Sequence, residues 1–246
     1  MTAKSTLGVS IMKPIQLPQN CTIQLHQSDT CLRRSIFIGR ADKELPRTMD
    51  ALETAVCSQV KANMRCMIAF RPCLKTFSRS VYGIAISALR RTVKTICASD
   101  AKKQELINAF ECLQSEAQLN SVFQIMHKIT AEIDYVSKNT PIQRLLPNMC
   151  CGYHKTMHDV SVMLDGMCPT QVTKIYILNL VHSIFGDVLD VGCGKYSSDG
   201  ECRKLIPDDM AIIDNIANEV EKNNTVFDHS PIVPLLTVME RLDSNE

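Results

Sequence analysis

Cysteine is the residue type most able to do chemistry in this chain of 246 residues, which contains twelve cysteines. Zinc-binding modules bring cysteines together in close CxxC pairs, and no such pair occurs in the sequence. Free thiols in a reducing compartment are the alternative, but an even and dispersed set in a charge-balanced chain is typical of a disulfide framework. We therefore predict disulfide bonds at every cysteine. These residues are Cys21, Cys31, Cys57, Cys66, Cys73, Cys97, Cys112, Cys150, Cys151, Cys168, Cys193 and Cys202.

A short glycine motif offers a second kind of chemistry. The segment Val188-Leu189-Asp190-Val191-Gly192-Cys193-Gly194 resembles the first motif of S-adenosylmethionine-dependent methyltransferases, in which a strand leads into a tight glycine turn that approaches the cofactor. The third glycine of such a turn is replaced here by Tyr196, and only 52 residues follow Gly194. A doubly wound sheet needs more chain than that, so a methyltransferase is the disfavoured alternative.

A third candidate is a metal site on a helix. His154 and His158 lie four residues apart, with Cys150 one turn earlier, and such a set could hold zinc. The set lacks an acidic fourth ligand at helical spacing, and a disulfide at Cys150 would compete with the metal. We therefore expect His154 and His158 at the surface beside Lys155, and we predict no metal site, no cofactor and no catalytic residue.

Composition narrows the possible partners. The chain has 27 basic and 26 acidic side chains and a net charge of +1, without a long run of one sign that would attract nucleic acid. Tryptophan is absent, which argues against an aromatic surface for stacking bases. No apolar run approaches the ~20 residues that span a bilayer. Two sequons predict N-glycosylation at Asn20 and Asn223.

Apolar residues recur at spacings of three and four from residue 48 onward, which predicts helices. Cys66 and Cys73 share one apolar stripe, but seven residues of helix rise roughly 10 Å, so each must bond to another element. Ser99 is a predicted N-cap. A later helix begins after Pro207 and carries four apolar residues on one face. They are Met210, Ile213, Ile216 and Val220.

The most regular repeat in the sequence alternates spacings of three and four over about five turns. It could be a coiled-coil dimerisation helix, but fewer than three full heptads are present, so burial in the core is the preferred interpretation. Downstream, the adjacent Cys150 and Cys151 point in different directions and should bond to two different partners. The repeat consists of Leu119, Val122, Met126, Ile129, Ile133 and Val136.

These patterns predict an all-α fold, a disulfide-stapled bundle of about seven or eight helices with an extended N-terminal arm. We expect the arm at residues 1–47, stapled through Cys21 and Cys31. The helical domain should cover residues 48–226, with room for two lobes that meet near residue 140. We expect residues 227–246 to form a loose tail with one amphipathic turn.

Four segments carry a further pattern: Leu45–Leu52, Cys66–Leu74, Cys150–His154 and Cys193–Ser197. Together they resemble a family of uncharacterised secreted, cysteine-rich helical proteins of arthropods, distantly like nematode secreted domains of unknown function. The resemblance covers about residues 45–207 and lies mainly in the order of the cysteines. It implies an extracellular location, structural disulfides at the ten cysteines from Cys57 to Cys202, and a disulfide corner at Gly192-Cys193-Gly194. It implies no known activity.

We expect a secreted, non-enzymatic binding or carrier module. Helices rich in methionine and aliphatic residues can enclose an apolar cavity, so the expected partner is a small apolar ligand or a protein. The segment Met1–Gln19 has no apolar core long enough for a signal peptide, and we expect the secreted form to carry a leader that this sequence lacks. The alternatives are the methyltransferase and a structural protein that assembles through the helix at residues 119–136.

Overall fold

The helical spacing of the apolar residues produces an all-helical fold, which confirms the predicted fold class. The computed structural model describes residues 19–35, 45–168 and 170–244, which contain ten α-helices, more than the predicted seven or eight, and no strand. The first five helices are α1 (Gln19–Ser35), α2 (three contiguous segments, Met49–Leu52, the π-helical Glu53–Ser58 and Gln59–Phe70), α3 (Thr76–Ile96), α4 (Asp100–Ala109) and α5 (Glu116–Asn139). The others are α6 (Ile142–Met167), α7 (Gln171–Cys193), α8 (Asp199–Leu205), α9 (Pro207–Lys222) and α10 (Ile232–Asp243).

Side-chain caps fix the start of several helices. The Ser99 side chain accepts a hydrogen bond from the backbone N–H of Lys102 and begins α4, as predicted. Ser115 and Gln118 form a complete capping box at the start of α5. These polar contacts satisfy N–H groups that have no partner inside the helix.

The predicted extended arm is wrong over residues 19–35, because these residues form α1 and lie against α2. The apolar period of α1 is interrupted in the sequence, because three of its buried residues, Ser28, Asp29 and Ser35, are polar. The Ser28 hydroxyl is 2.9 Å from the Tyr82 hydroxyl, and this hydrogen bond compensates for its burial. The other parts of the predicted arm, residues 1–18 and 36–44, lie outside the described residues.

The largest apolar core joins helices that lie far apart in the sequence. Leu52 of α2, Leu106 of α4, Leu164 of α6 and Ile177 of α7 are all buried in it. Helix α5 packs against α6, α9 and α10, and in its regular repeat Val122 and Val136 are buried while the other four residues are half-buried. Its interpretation as a buried seam therefore agrees with the fold.

The predicted loose tail is wrong, because residues 232–243 form α10 and pack against α5 and α3. Leu236 and Val238 are buried there. Pro231 and Pro234 occupy the N-cap and the first turn, where a missing N–H group removes no helical hydrogen bond. Within the described residues, no helix is both long and apolar enough to cross a membrane.

Candidate functional site

The structure pairs all twelve cysteines in six disulfides, and no cysteine is free. Cys66 and Cys73 bond to α1, and the adjacent Cys150 and Cys151 bond to two separate elements, both as the spacing predicted. The pairs are Cys21–Cys73, Cys31–Cys66, Cys57–Cys97, Cys112–Cys168, Cys150–Cys193 and Cys151–Cys202.

The strand required by the methyltransferase interpretation is absent at its predicted position, because residues 188–191 belong to α7. Cys193 ends this helix and bonds to Cys150, and Gly194 follows it with a φ of +45°. Residues with a side chain rarely adopt a positive φ, so glycine suits the turn that follows the helix. The segment works as a disulfide-anchored helix end instead of a cofactor loop.

The three residues of the possible zinc set do not come together as ligands. The Cys150 sulfur is in a disulfide and fully buried. His158 is exposed and His154 is half-buried, while Lys155 between them is buried, which differs from the expected surface position. In the described part of the chain, no three His, Cys, Asp or Glu residues are grouped so that they could hold a metal ion.

The structure describes the side chain of only one of the two predicted glycosylation residues, Asn223. Asn223 is exposed at the C-terminal end of α9, where its amide donates a 3.1 Å hydrogen bond to Glu219. Asn224 follows with a φ of +47° and turns the chain away from the helix. Asn20 belongs to α1, and its side chain lies outside the described part of the structure. Glycosylation at both residues stays a prediction.

An open cleft of about 580 Å³ lies between α5 and α9. Its volume is within the range of small-molecule sites, about 300–1,000 Å³. Tyr135 supplies the α5 wall, and the facing wall combines four aliphatic residues of α9 with polar ones. Ile212 is 40% exposed on this wall, so part of its apolar side chain faces the open cleft. The residues of α9 that line the cleft are Ala211, Ile212, Asn215, Ile216, Glu219 and Val220.

A smaller polar niche of about 140 Å³ shares the Tyr135 and Ile212 walls with the cleft. The niche lies where the end of α5 meets the first turns of α6 and α9. The Arg144 guanidinium forms an ion pair with the Asp209 carboxylate, whose Oδ2 also accepts a 2.9 Å hydrogen bond from the Asn148 amide. A polar end therefore adjoins an apolar cleft.

A cluster of charged side chains around the buried Lys155 contains none of the residues that line the cleft. Lys155 Nζ is 3.2 Å from Glu132 Oε1 and 2.6 Å from Asp159 Oδ2. Burial raises the pKa of Glu132 to about 7, because the attraction of Lys155 offsets the lost hydration only in part and the charges of Asp159 and Asp214 oppose ionisation. These groups connect α5 to α6 inside the fold, and we assign them a structural role.

Comparison with protein-family models, with curated proteins and with solved structures found no match. The candidate site therefore rests on its geometry. Sequence periodicity identified Ile216 and Val220 as one apolar face of α9, but it missed Tyr135, Arg144 and Ile212. The signal that could have found Ile212 is the pair of adjacent isoleucines, one of which must leave the buried face of the helix.

Proposed function

We propose that this protein is a secreted, non-enzymatic binding or carrier module that holds a small apolar ligand in the cleft between α5 and α9. The observation that carries the proposal is the aliphatic wall of α9, which leaves Ile212 exposed beside a cleft of about 580 Å³. An apolar ligand in this cleft would remove that surface from water, which is the main driving force for binding at such sites.

Secretion is supported by the number and position of the disulfides. Six disulfides in one chain are typical of oxidising compartments, because the cytosol keeps thiols reduced. Cys57, Cys150, Cys151 and Cys202 are completely buried, so these bonds belong to the core of the fold. The bonds would keep the cleft intact in an extracellular fluid.

The methyltransferase and the assembly through the α5 repeat each depend on a structural feature that differs in the fold. Residues 188–191 are helical, so the strand and glycine turn of a methyltransferase are not present there. The α5 repeat cannot pair with a second molecule through Val122 and Val136, because both are buried inside this chain. A binding role for the cleft needs neither feature.

The proposal is tested by filling the cleft. Ala211 is exposed on the cleft wall, so the variant Ala211→Trp should place a large ring in the cleft without disturbing the core. We expect the wild-type protein to bind 1-decanol in isothermal titration calorimetry and the variant to bind it at least about tenfold more weakly.

The matched control is Ala101→Trp, which places the same ring on an exposed position of α4, away from the cleft. It should bind 1-decanol as the wild type does. Circular dichroism of each variant checks that the helices are intact. Absence of binding by the wild type, or equal affinity of Ala211→Trp and Ala101→Trp, would overturn the proposal.

A further inference from the structure

The polar niche next to the cleft carries information about the ligand, and the inference drawn from it rests on the proposed function. We propose that the niche selects an amphiphile with an uncharged head group that both donates and accepts hydrogen bonds, such as a hydroxyl or a primary amide. The head would lie against Arg144 and Asp209, and the apolar chain would run along α9. A fatty acid and a long-chain amine would be poor ligands.

The charge of the niche is balanced. The Arg144 guanidinium and the Asp209 carboxylate form an ion pair, and the Asp209 side chain is only 11% exposed. A ligand carboxylate would be attracted by Arg144 and repelled by Asp209, and a ligand ammonium would meet the reverse. Either charged head group would lose hydration on binding, and the niche has no net opposite charge to compensate for that loss. A charged head group is therefore unfavourable.

A neutral head group finds both kinds of hydrogen-bonding partner in the niche. Arg144 has five N–H donors, and its side chain is 48% exposed. One nitrogen of the guanidinium pairs with the Asp209 carboxylate. Its other N–H groups can donate to a ligand oxygen, while Asp209 and the Thr140 hydroxyl in the niche wall can accept from the ligand.

The direction of the ligand's apolar chain follows from α9, because this helix lines both the niche and the cleft. Asp209 lines the niche and Val220 lines the far part of the cleft. Eleven residues of helix separate them, a rise of roughly 16 Å. A ligand whose head lies at Asp209 can therefore cover the aliphatic wall with a chain of medium length.

Four ligands with the same ten-carbon chain test the inference: 1-decanol, decanamide, decanoate and decylamine. Calorimetry at neutral pH should rank the alcohol and the amide at least about tenfold tighter than the carboxylate and the amine. Equal affinities, or tighter binding of a charged ligand by the wild type, would overturn the head-group inference while leaving a ligand-binding cleft. Absence of binding by all four would instead overturn the proposed function.

Two variants unbalance the niche in opposite directions. Asp209→Asn leaves Arg144 as an unopposed cation, so decanoate should gain at least about tenfold in affinity relative to decylamine. Arg144→Gln leaves the Asp209 carboxylate, and the preference should reverse in favour of decylamine. A head-group preference that is the same in both variants contradicts the inference.

The matched control is Asp214→Asn, the same substitution on α9 at a residue that pairs with Arg203 and lies outside the niche. It should keep the wild-type ranking of the four ligands. If Asp214→Asn changes the ranking as much as Asp209→Asn does, the charge of the protein as a whole sets the preference and the niche does not.

Discussion

The Glu132 and Lys155 side chains are 6% and 5% exposed, so this charge pair is almost completely removed from water. Such burial disfavours the ionised carboxylate, and nearby Lys155 only partly compensates. The pKa of Glu132 is therefore raised from its ordinary value to about 7. A pair of this kind couples the stability of the fold to pH.

The sign of this coupling follows from proton binding. Folded Glu132 holds its proton up to about pH 7, whereas the unfolded chain releases it near the ordinary value of 4.5. The contribution to stability is complete below the unfolded pKa and is lost as pH rises through the folded pKa. Between about pH 4 and pH 8 the loss is on the order of 3 kcal/mol.

The variant Glu132→Gln removes this titration. We expect its free energy of unfolding, relative to the wild type, to increase by on the order of 3 kcal/mol over the same pH range in denaturant titrations. Glu116→Gln is the control, because Glu116 is exposed near the start of the same helix. The pH-dependent increase for Glu132→Gln should exceed that for this control. A Glu132→Gln difference that does not vary with pH would contradict the assignment.

Helix α10 stabilises the ends of two other helices. The Asp243 carboxylate accepts hydrogen bonds from the backbone N–H groups of Phe77 and Ser78, at 3.0 and 2.8 Å, in the first turn of α3. At the other site, the Arg241 guanidinium donates 2.7 Å hydrogen bonds to the carbonyls of Ser137 and Thr140 at the end of α5. One helix thus supplies an N-terminal cap and a C-terminal cap to its neighbours.

Loss of the Asp243 carboxylate should weaken the start of α3. Lys75, the N-cap residue, provides no side-chain hydrogen bond there, so no local group replaces the carboxylate. We expect Asp243→Ala to lower the free energy of unfolding by about 1 kcal/mol, and Asp243→Asn by less, because the amide oxygen can still accept. Urea denaturation measures both.

The control for this prediction is Asp228→Ala, because Asp228 is exposed and its contact with Arg33 uses the backbone carbonyl. This change should leave the free energy of unfolding within about 0.5 kcal/mol of the wild type. Equal values for Asp243→Ala and Asp228→Ala would show that the α3 cap contributes nothing measurable.

Helices with a regular apolar period were predictable from the sequence, whereas α1 and α10 were not. The α5 repeat and the Ser99 cap were both placed correctly, because local spacing and capping chemistry determine them. Helix α1 was missed since buried Ser28 breaks its apolar stripe. Helix α10 was missed since Pro231 and Pro234 suggested a break, although prolines are tolerated at a helix start.

The candidate site was less predictable because its walls come from distant parts of the chain. Tyr135 belongs to α5 and Ile212 to α9, and only tertiary packing brings these helices together. The niche has the same origin, with Arg144 and Asp209 in the first turns of two separate helices. Periodicity assigns a residue to a helix face but gives no information about which helix faces it.

The disulfides divide the molecule into two covalent groups. Three bonds lie within residues 21–97, and the other three lie within residues 112–202. All twelve cysteines are among the described residues, and none of their bonds crosses from one group to the other. The apolar core does cross, because Leu52 packs in the same cluster as Leu164 and Ile177. The two groups therefore share a core but no disulfide.

The pairing pattern was beyond sequence analysis, because twelve cysteines allow on the order of ten thousand complete pairings. Each bond closes a loop of 35 to 56 residues, which should contribute roughly 4 kcal/mol by restricting the unfolded chain. Since the two groups share no bond, a single cut between them should release two fragments once the core is denatured. A cut inside one group should release none.

A site for a sequence-specific protease inserted between Ala98 and Ser99 provides the first cut, and the same site inserted between Thr140 and Pro141 provides the second. Both positions lie in short connections between helices. In denaturing gels without reductant, the first cleaved protein should run as two fragments and the second as one linked species. With reductant, both should separate. A linked species after the first cut would require a disulfide between the groups and would contradict this connectivity.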